Sequence, residues 1–228
     1  MSDRILNRFC WMSYDARHFL PRGWEEAVLD VARRVSVRMF VPNAPTSREA
    51  DRDTPLPVCE VSGDVVRQEL PWLYHCYRGI FKELAQRMCI DELLAAQCDR
   101  YGVMLNVVRG NQMRYVCHVD SNPLAGLLYV TDHAPGTGGE LVVANNPASR
   151  STADVDRDCT IIHPVSGRLL FFDGRSHPHY VRPLEESNAT RVAVAMNFYT
   201  RNCPETVRPA ELDGGVIVDP AELAGTRW

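Results

Sequence analysis

The change of texture at Tyr101 constrains the fold more than any other feature of the chain. From there onward short β-rich runs follow one another, at 101–108, 114–119, 124–131, 140–144, 158–163, 168–173, 179–182 and 190–199. Turn-forming residues separate them: Gly110-Asn111, Asn122-Pro123, Gly136 to Gly139, Ser166-Gly167 and Asp173-Gly174. Short strands punctuated in this way predict a mainly β chain whose core is a double-stranded β-helix, or jelly roll.

The first hundred residues read as helical support for that core. Trp24, Val28, Val31, Val35 and Met39 form one apolar stripe and predict a helix from Gly23 to about Met39. A second helix is expected from Pro71 to Met88, with Leu73, Tyr77, Ile80, Leu84 and Met88 on one face, and a short third from Asp91 to Cys98. Between the first two, the proline-rich and charged stretch from Pro42 to Val58 reads as an exposed loop that could serve as a lid. Asn145 to Asp158 reads as a mobile polar insertion, and 201–228 as a tail rich in Pro, Glu and Gly. With 228 residues, the simplest organisation is one domain over 1–228: helical support and lid in 1–100, a catalytic core in 101–200, then the tail.

Composition removes several function classes. The net charge is -4 with no basic block, so no nucleic-acid partner is expected. No stretch is long and apolar enough to span a bilayer, and charges break Met1 to Leu20, so no membrane partner and a cytoplasmic location are expected. The 8 cysteines include no Cys-x-x-Cys pair and read as reduced thiols. Gly136-Thr-Gly-Gly139 neither opens a helix in a βαβ unit nor ends in Gly-Lys-Ser/Thr, so it reads as a turn.

The chemistry starts at Arg114-Tyr-Val-Cys-His-Val-Asp120. Residues two apart on a strand share a side, so His118 and Asp120 can converge on one point. An imidazole and a carboxylate together are two thirds of the facial triad that holds non-haem iron with open positions. His177 or His179, after the apolar strand 168–173, could supply the third ligand. His75, His133 and His163 read as structural or solvated. Arg191 opens the apolar strand 190–199, where burial is costly unless it meets an anion. A dicarboxylate co-substrate accounts for the triad and the arginine together.

These residues resemble the iron(II)- and 2-oxoglutarate-dependent dioxygenases, in their prolyl-hydroxylase-like branch. The resemblance covers about Met104 to Tyr199 and rests on Tyr115-x-x-His118-x-Asp120, Leu128-Tyr129, Gly138-Gly-Glu-Leu141, Arg168-Leu-Leu-Phe-Phe172, Pro178-His179-x-Val181-x-Pro183 and Thr190-Arg191. It implies a jelly-roll hydroxylase in which His118, Asp120 and His179 hold Fe(II), with His179 preferred over His177. It further implies that Arg191 and Tyr129 bind the distal carboxylate of 2-oxoglutarate. Dioxygen is the other co-substrate, ascorbate a reductant, and succinate and carbon dioxide the co-products. The aspartate favours hydroxylation, since halogenases of the superfamily lack that carboxylate.

Two departures turn the expected substrate away from a protein. Asn197 stands where the family's prolyl hydroxylases carry a tryptophan, and the loop from Ser121 to Gly126 is short. The expected substrate is a small polar molecule, such as a free amino acid or a natural-product intermediate, touched by Tyr115 and Asn197. Arg109, Arg114, Arg175 and Arg182 are further candidates for a substrate anion. The alternatives are a prolyl hydroxylase acting on a protein and, in another class, a cupin-type metal-binding protein or isomerase. A homodimer is compatible with the sequence.

Overall fold

The computed structural model describes residues 9–40, 44–49, 57–213 and 216–217. In chain order the elements are β1 (Trp11–Asp15), α1 (Trp24–Val35), β2 (Val37–Phe40), β3 (Pro57–Val61), α2 (Gly63–Glu69), α3 (Pro71–Cys76), α4 (Lys82–Gln86), β4 (Leu93–Ala95), α5 (Asp99–Gly102), β5 (Val103–Arg109), β6 (Leu124–Tyr129), β7 (Leu141–Ala144), α6 (Thr152–Arg157), β8 (Cys159–Ile162), β9 (Arg168–Phe172), β10 (His179–Val181), β11 (Thr190–Thr200) and β12 (Val216–Ile217).

Two antiparallel sheets form. The larger runs β1-β9-β6-β11-β5-β3-β2-β12, with β4 also paired to β11; the smaller runs β10-β7-β8. This is the mainly β, double-stranded β-helix architecture expected from the strand pattern.

The faces of the large sheet explain the layers. Along β11, Val192, Val194, Met196 and Phe198 pack with Val28, Leu73, Tyr77 and Phe81 from the helical side into one apolar cluster. The alternate positions of the same strand, Arg191, Ala193, Ala195 and Asn197, face the space between the sheets. Large residues therefore anchor the helices, while small or polar ones leave room for a cavity. Tyr129, Leu170 and Phe172 from the large sheet meet Leu141, Val143 and Val181 from the small one. On the small sheet's outer side Val142, Ala144 and Tyr180 cover Val155 of α6.

Several expected elements differ. The first helix stops at Val35, and Val37–Phe40 instead pairs with β3 in the register Val37↔Glu60 to Phe40↔Pro57. Backbone pairing with a strand twenty residues on, invisible to local periodicity, rewards the extended form there. The second helix is interrupted by a wide π turn over Tyr77–Phe81, with Gly79 at φ −108 and ψ −108. The widened turn shifts the helical phase, so Phe81 is buried where Ile80 was expected, and Ile80 and Met88 are only partly covered. The segment 91–98 is not helical: Leu93–Ala95 extends along the end of β11. Helix α2 is an addition that the sequence pattern did not mark.

Residues 114–119 form no ladder strand; only His118 makes isolated bridges, to Ser47 and His179. The insertion at 145–158 is structured, since the Ser151 hydroxyl accepts from Asp154 N at 3.1 Å, caps α6 and places Val155 in the core. The stretch 42–58 is no free loop where it is described. Arg48 N donates to Cys117 O (2.7 Å), Val119 N donates to Thr46 O (2.9 Å), and Pro57 and Val58 belong to β3. Positions 42–43 and 50–56 of that stretch, and 214–215 and 218–228 of the tail, lie outside the described residues.

All eight cysteines are free thiols, and among the described residues no helix is long and apolar enough to cross a membrane.

Candidate active site

His118 and His179 sit opposite each other in a single antiparallel bridge between the loop before β6 and the start of β10. His118 N donates to His179 O (3.0 Å), and His179 N donates to His118 O (2.8 Å). Asp120 N donates to Gly174 O (2.9 Å), which fixes the carboxylate from the β9–β10 turn. The backbone thereby brings Nε2 of both imidazoles to 3.5 and 3.7 Å from Asp120 Oδ1. The three ligand atoms lie within 4.8 Å of one another, a spacing one metal ion can bridge.

The tautomers are set by carbonyls. His118 Nδ1 lies 2.7 Å from Val116 O and His179 Nδ1 lies 3.0 Å from His177 O. A carbonyl only accepts, so each Nδ1 carries the proton and each Nε2 lone pair faces the centre. Burial drives the His179 imidazole down to about 4, with the Asp120 carboxylate opposing and His118 reinforcing that fall. Burial also opposes charge on His118, but the Asp120 hydrogen bond and charge outweigh it and raise that ring. Burial works against ionisation of Asp120, and the two imidazoles more than offset it, so its carboxyl is lowered. With each Nδ1 turned to a carbonyl, the set offers one carboxylate and two Nε2 lone pairs to a cation, the chemistry of a hard-to-borderline divalent metal site.

The triad opens into a cavity of about 450 Å³ between the sheets. Arg191, 1% exposed, lies in its wall, yet among the described residues its buried Nε and Nη2 atoms meet no hydrogen-bond partner. Its guanidinium carbon stands 5.4 Å from the ring centre of Tyr129, whose hydroxyl is likewise buried and unpartnered. Burial lowers the Arg191 guanidinium, and Tyr129 and Tyr115 partly restore it. Two orphaned guanidinium donors beside an orphaned phenol are the fittings of a carboxylate receptor. The Gly138-Gly139 turn lets the chain come this close. Both residues have positive φ, and a Cβ on Gly139 would lie 3.1 Å from Arg191 Cδ.

His177, the other candidate, is buried elsewhere: Nδ1 is 2.8 Å from Ala144 O and the ring packs edge-on to Phe9. His75 is exposed, with Nδ1 2.6 Å from Pro71 O, and His163 faces Glu140 at 3.8 Å. Tyr115 and Asn197 both line the cavity. Tyr115 donates to Glu60 Oε1 at 3.4 Å, and Asn197 Nδ2 donates to Tyr101 O at 2.7 Å.

Of the four uncommitted arginines, only Arg114 reaches the cavity, and Glu49 pairs with it at 2.8 Å. Arg109 is tied to Ser36 (2.9 Å), Arg182 to Asp156 (3.5 Å) and Arg175 to Cys203, all outside the cavity. Sequence reasoning missed Glu60, Asn106 and Arg208, which line it. Glu60 and Asn106 were legible only as polar residues breaking apolar strands. Arg208 sits in the tail and lies 4.0 Å over the Tyr101 ring.

Residues 98–199 match the family model described as the 2OG-Fe(II) oxygenase superfamily. No functionally curated sequence is detectably similar to the chain. Among solved structures it is similar to AviO1 from Streptomyces viridochromogenes, at 14% identity and TM-score 0.60 over 87% of this chain and 93% of that one. The alpha ketoglutarate dependent carbocyclase SnoK from nogalamycin biosynthesis is 15% identical, with TM-score 0.58 over 87% of this chain and 83% of its own. A prolyl hydroxylase from Trichoplax adhaerens, in complex with a hypoxia inducible factor peptide, is 18% identical, with TM-score 0.57 over 86% and 85%. At these identities the structural likeness is one of fold, and the likeness to the family rests on the matched segment. Residues 98–199 thus carry the match to the 2OG-Fe(II) oxygenase superfamily, whose members use Fe(II), 2-oxoglutarate and dioxygen.

Proposed function

We propose that the chain hydroxylates a C–H bond of a small polar molecule, with His118, Asp120 and His179 holding Fe(II) and with Arg191 and Tyr129 binding the distal carboxylate of 2-oxoglutarate. The observation that carries this reading is the pair of unpartnered Arg191 nitrogens in the wall of the cavity that the three ligand atoms share. A buried guanidinium with two empty donors is stable only if an anion completes it. A metal-binding cupin would have no use for such a receptor.

When bound, iron couples oxidative decarboxylation of 2-oxoglutarate to oxidation of the substrate, one oxygen atom of dioxygen ending in succinate and the other in the product. The protein's part is positional. Val116 O and His177 O keep the imidazole lone pairs pointed inward, and Gly174 O holds Asp120 in register. Arg191 and Tyr129 fix one end of the co-substrate by a charge-assisted fork and a phenol donor. Apolar walls from Leu141, Phe172 and Val181 exclude water around the reacting centre. The small side chains Ala193 and Ala195 leave the room, and Asn197 presents an amide where a large indole would fill it.

The test is anaerobic titration of Fe(II) and 2-oxoglutarate. The native chain should develop the weak visible charge-transfer band of a bidentate 2-oxo acid complex. Asp120→Ala and His179→Ala should weaken it strongly and His177→Ala should not. Arg191→Ala should weaken 2-oxoglutarate binding by at least about tenfold, the value of a lost charged hydrogen bond. Unchanged 2-oxoglutarate affinity in Arg191→Ala would refute the co-substrate assignment. Succinate release screened against amino acids, nucleosides and peptides tests the substrate class, and release supported by peptides alone refutes a small molecule.

A further inference from the structure

We infer that the cavity wall carries a second subsite, formed by Glu60, Asn106 and Tyr115, that receives a protonated amine of the substrate. The inference rests on the hydroxylase reading above and names the substrate class that the same cavity takes.

The placement comes from the sheet register. Glu60 of β3 pairs across to Asn106 of β5, Asn106 to Ala193 of β11, and Ala193 to Tyr129 of β6. All four therefore lie in one row on the inner face. Three strand spacings separate the ends, about 14 Å between backbones. One end of the row is Tyr129, beside Arg191 with its two open donors. The other end is Glu60.

The chemistry of the second end is the inverse of the first. Glu60 lines the cavity, and among the described residues the one hydrogen bond to its carboxylate is a long one from the Tyr115 hydroxyl, at 3.4 Å. Among the described residues, no arginine, lysine or histidine is within ion-pair distance of it. Its neighbour Asn106 also faces the cavity, and the Asn106 Oδ1 is buried without a partner. Burial pushes the Glu60 carboxyl up, with Tyr115 and the more distant Arg208 and Arg100 pulling it back. Two acceptors side by side with one weak donor between them are unsatisfied as they stand.

An ammonium group answers this deficit. It brings the positive charge that a half-buried, unpaired carboxylate lacks and three donors, enough for the Glu60 carboxylate, Asn106 Oδ1 and the Tyr115 oxygen. A hydroxyl could satisfy one acceptor but not the charge, and a carboxylate or phosphate would be repelled. Tyr115 stands between the poles, close enough to feel both the Glu60 and Arg191 charges. The cavity thus sorts its two guests by sign: the dicarboxylate to Arg191, the amine to Glu60.

The experiment uses the full chain with Fe(II) and 2-oxoglutarate under anaerobic conditions. Calorimetry follows a panel of free amino acids and the N-acetyl form of each. At least one free amino acid should bind about tenfold or more tightly than its N-acetyl partner, as expected for a charged hydrogen-bonded pair. Glu60→Gln, which keeps the shape and removes the charge, should erase that preference. Asn106→Leu, a second variant in case the first fails to fold, should weaken amine binding without changing the N-acetyl form. If no amino acid binds better than its acetylated form, or if Glu60→Gln keeps the preference, the subsite is refuted. A missing charge-transfer band in the Fe(II)-loaded sample sinks the iron reading; calorimetry repeated on the metal-free chain still reads the Glu60-dependent preference and decides this one.

Discussion

At Gly174 the difference between a hydrogen and a methyl group decides whether Asp120 can stand where it does. A Cβ there would lie 1.9 Å from Asp120 Oδ2 and 3.0 Å from His179 Cε1. Gly174→Ala must therefore push the carboxylate off its position, and we expect at least a tenfold loss of Fe(II) affinity in metal titrations, with a stability cost of about 1–3 kcal/mol for the overpacking. Native-like metal affinity in that variant would show that the turn is free to yield. Cys117, beside His118, gives a pH test. Burial pushes its thiol up to about 12 from an ordinary value near 9, with Glu49 adding to the rise. Below about pH 9 both folded and unfolded chains keep this proton and it contributes no slope. Between about 9 and 12 only the unfolded chain loses it, so stability falls as pH rises, by up to about 1.4 kcal/mol per unit. Denaturant melts across that range should show a shallower alkaline loss in Cys117→Ala.

Among the elements, helix α6 and the π turn show how local chemistry and tertiary packing share control. The α6 segment is six residues long and cannot hold itself together. Its Ser151 cap and buried Val155 do so, and Ser151→Ala should cost about 1 kcal/mol, read as a lower denaturation midpoint. An unchanged midpoint would mean that the packing of Val155 alone suffices. Gly63 marks a tighter joint: a Cβ on it would meet Asp99 O at 1.8 Å, where α2 crosses α5. Backbone cannot give way as a side chain can, so Gly63→Ala should separate these helices and destabilise by more than the usual surface substitution, about 2 kcal/mol or more.

Across the whole molecule, β11 is the member that both cores share. Phe198, fully buried, contacts Tyr77 at 5.1 Å and Phe171 at 6.1 Å between ring centres, on the helical side of the sheet. Phe198→Ala should cost about 3–5 kcal/mol and lower Tm accordingly, because neither the sheet nor the helices can close the void. The inner face of the same strand carries no such load. There Ala195 lines the cavity, which lets the site be shaped without dismantling the core.

The strand pattern and the spacing of His118, Asp120, Pro178-His179 and Arg191 were enough to indicate the jelly roll and the residues that now converge. Those signals are local: alternation of side chains, turn residues between runs, and ligand types that make sense only together. The third histidine was not decided by the residues alone, since His177 and His179 are equivalent by spacing until Ala144 O and Phe9 are seen to take up the former. The bridge that sets His118 against His179 is a backbone contact sixty residues apart in the chain, and no periodicity records it. The same holds for β2 and β4, where pairing with distant strands overrode a helical reading, and for Phe81, buried because a π turn changed the phase. Glu60 and Asn106 became neighbours only through strand register. Sequence determined which groups could do chemistry, and long-range backbone pairing decided which of them meet.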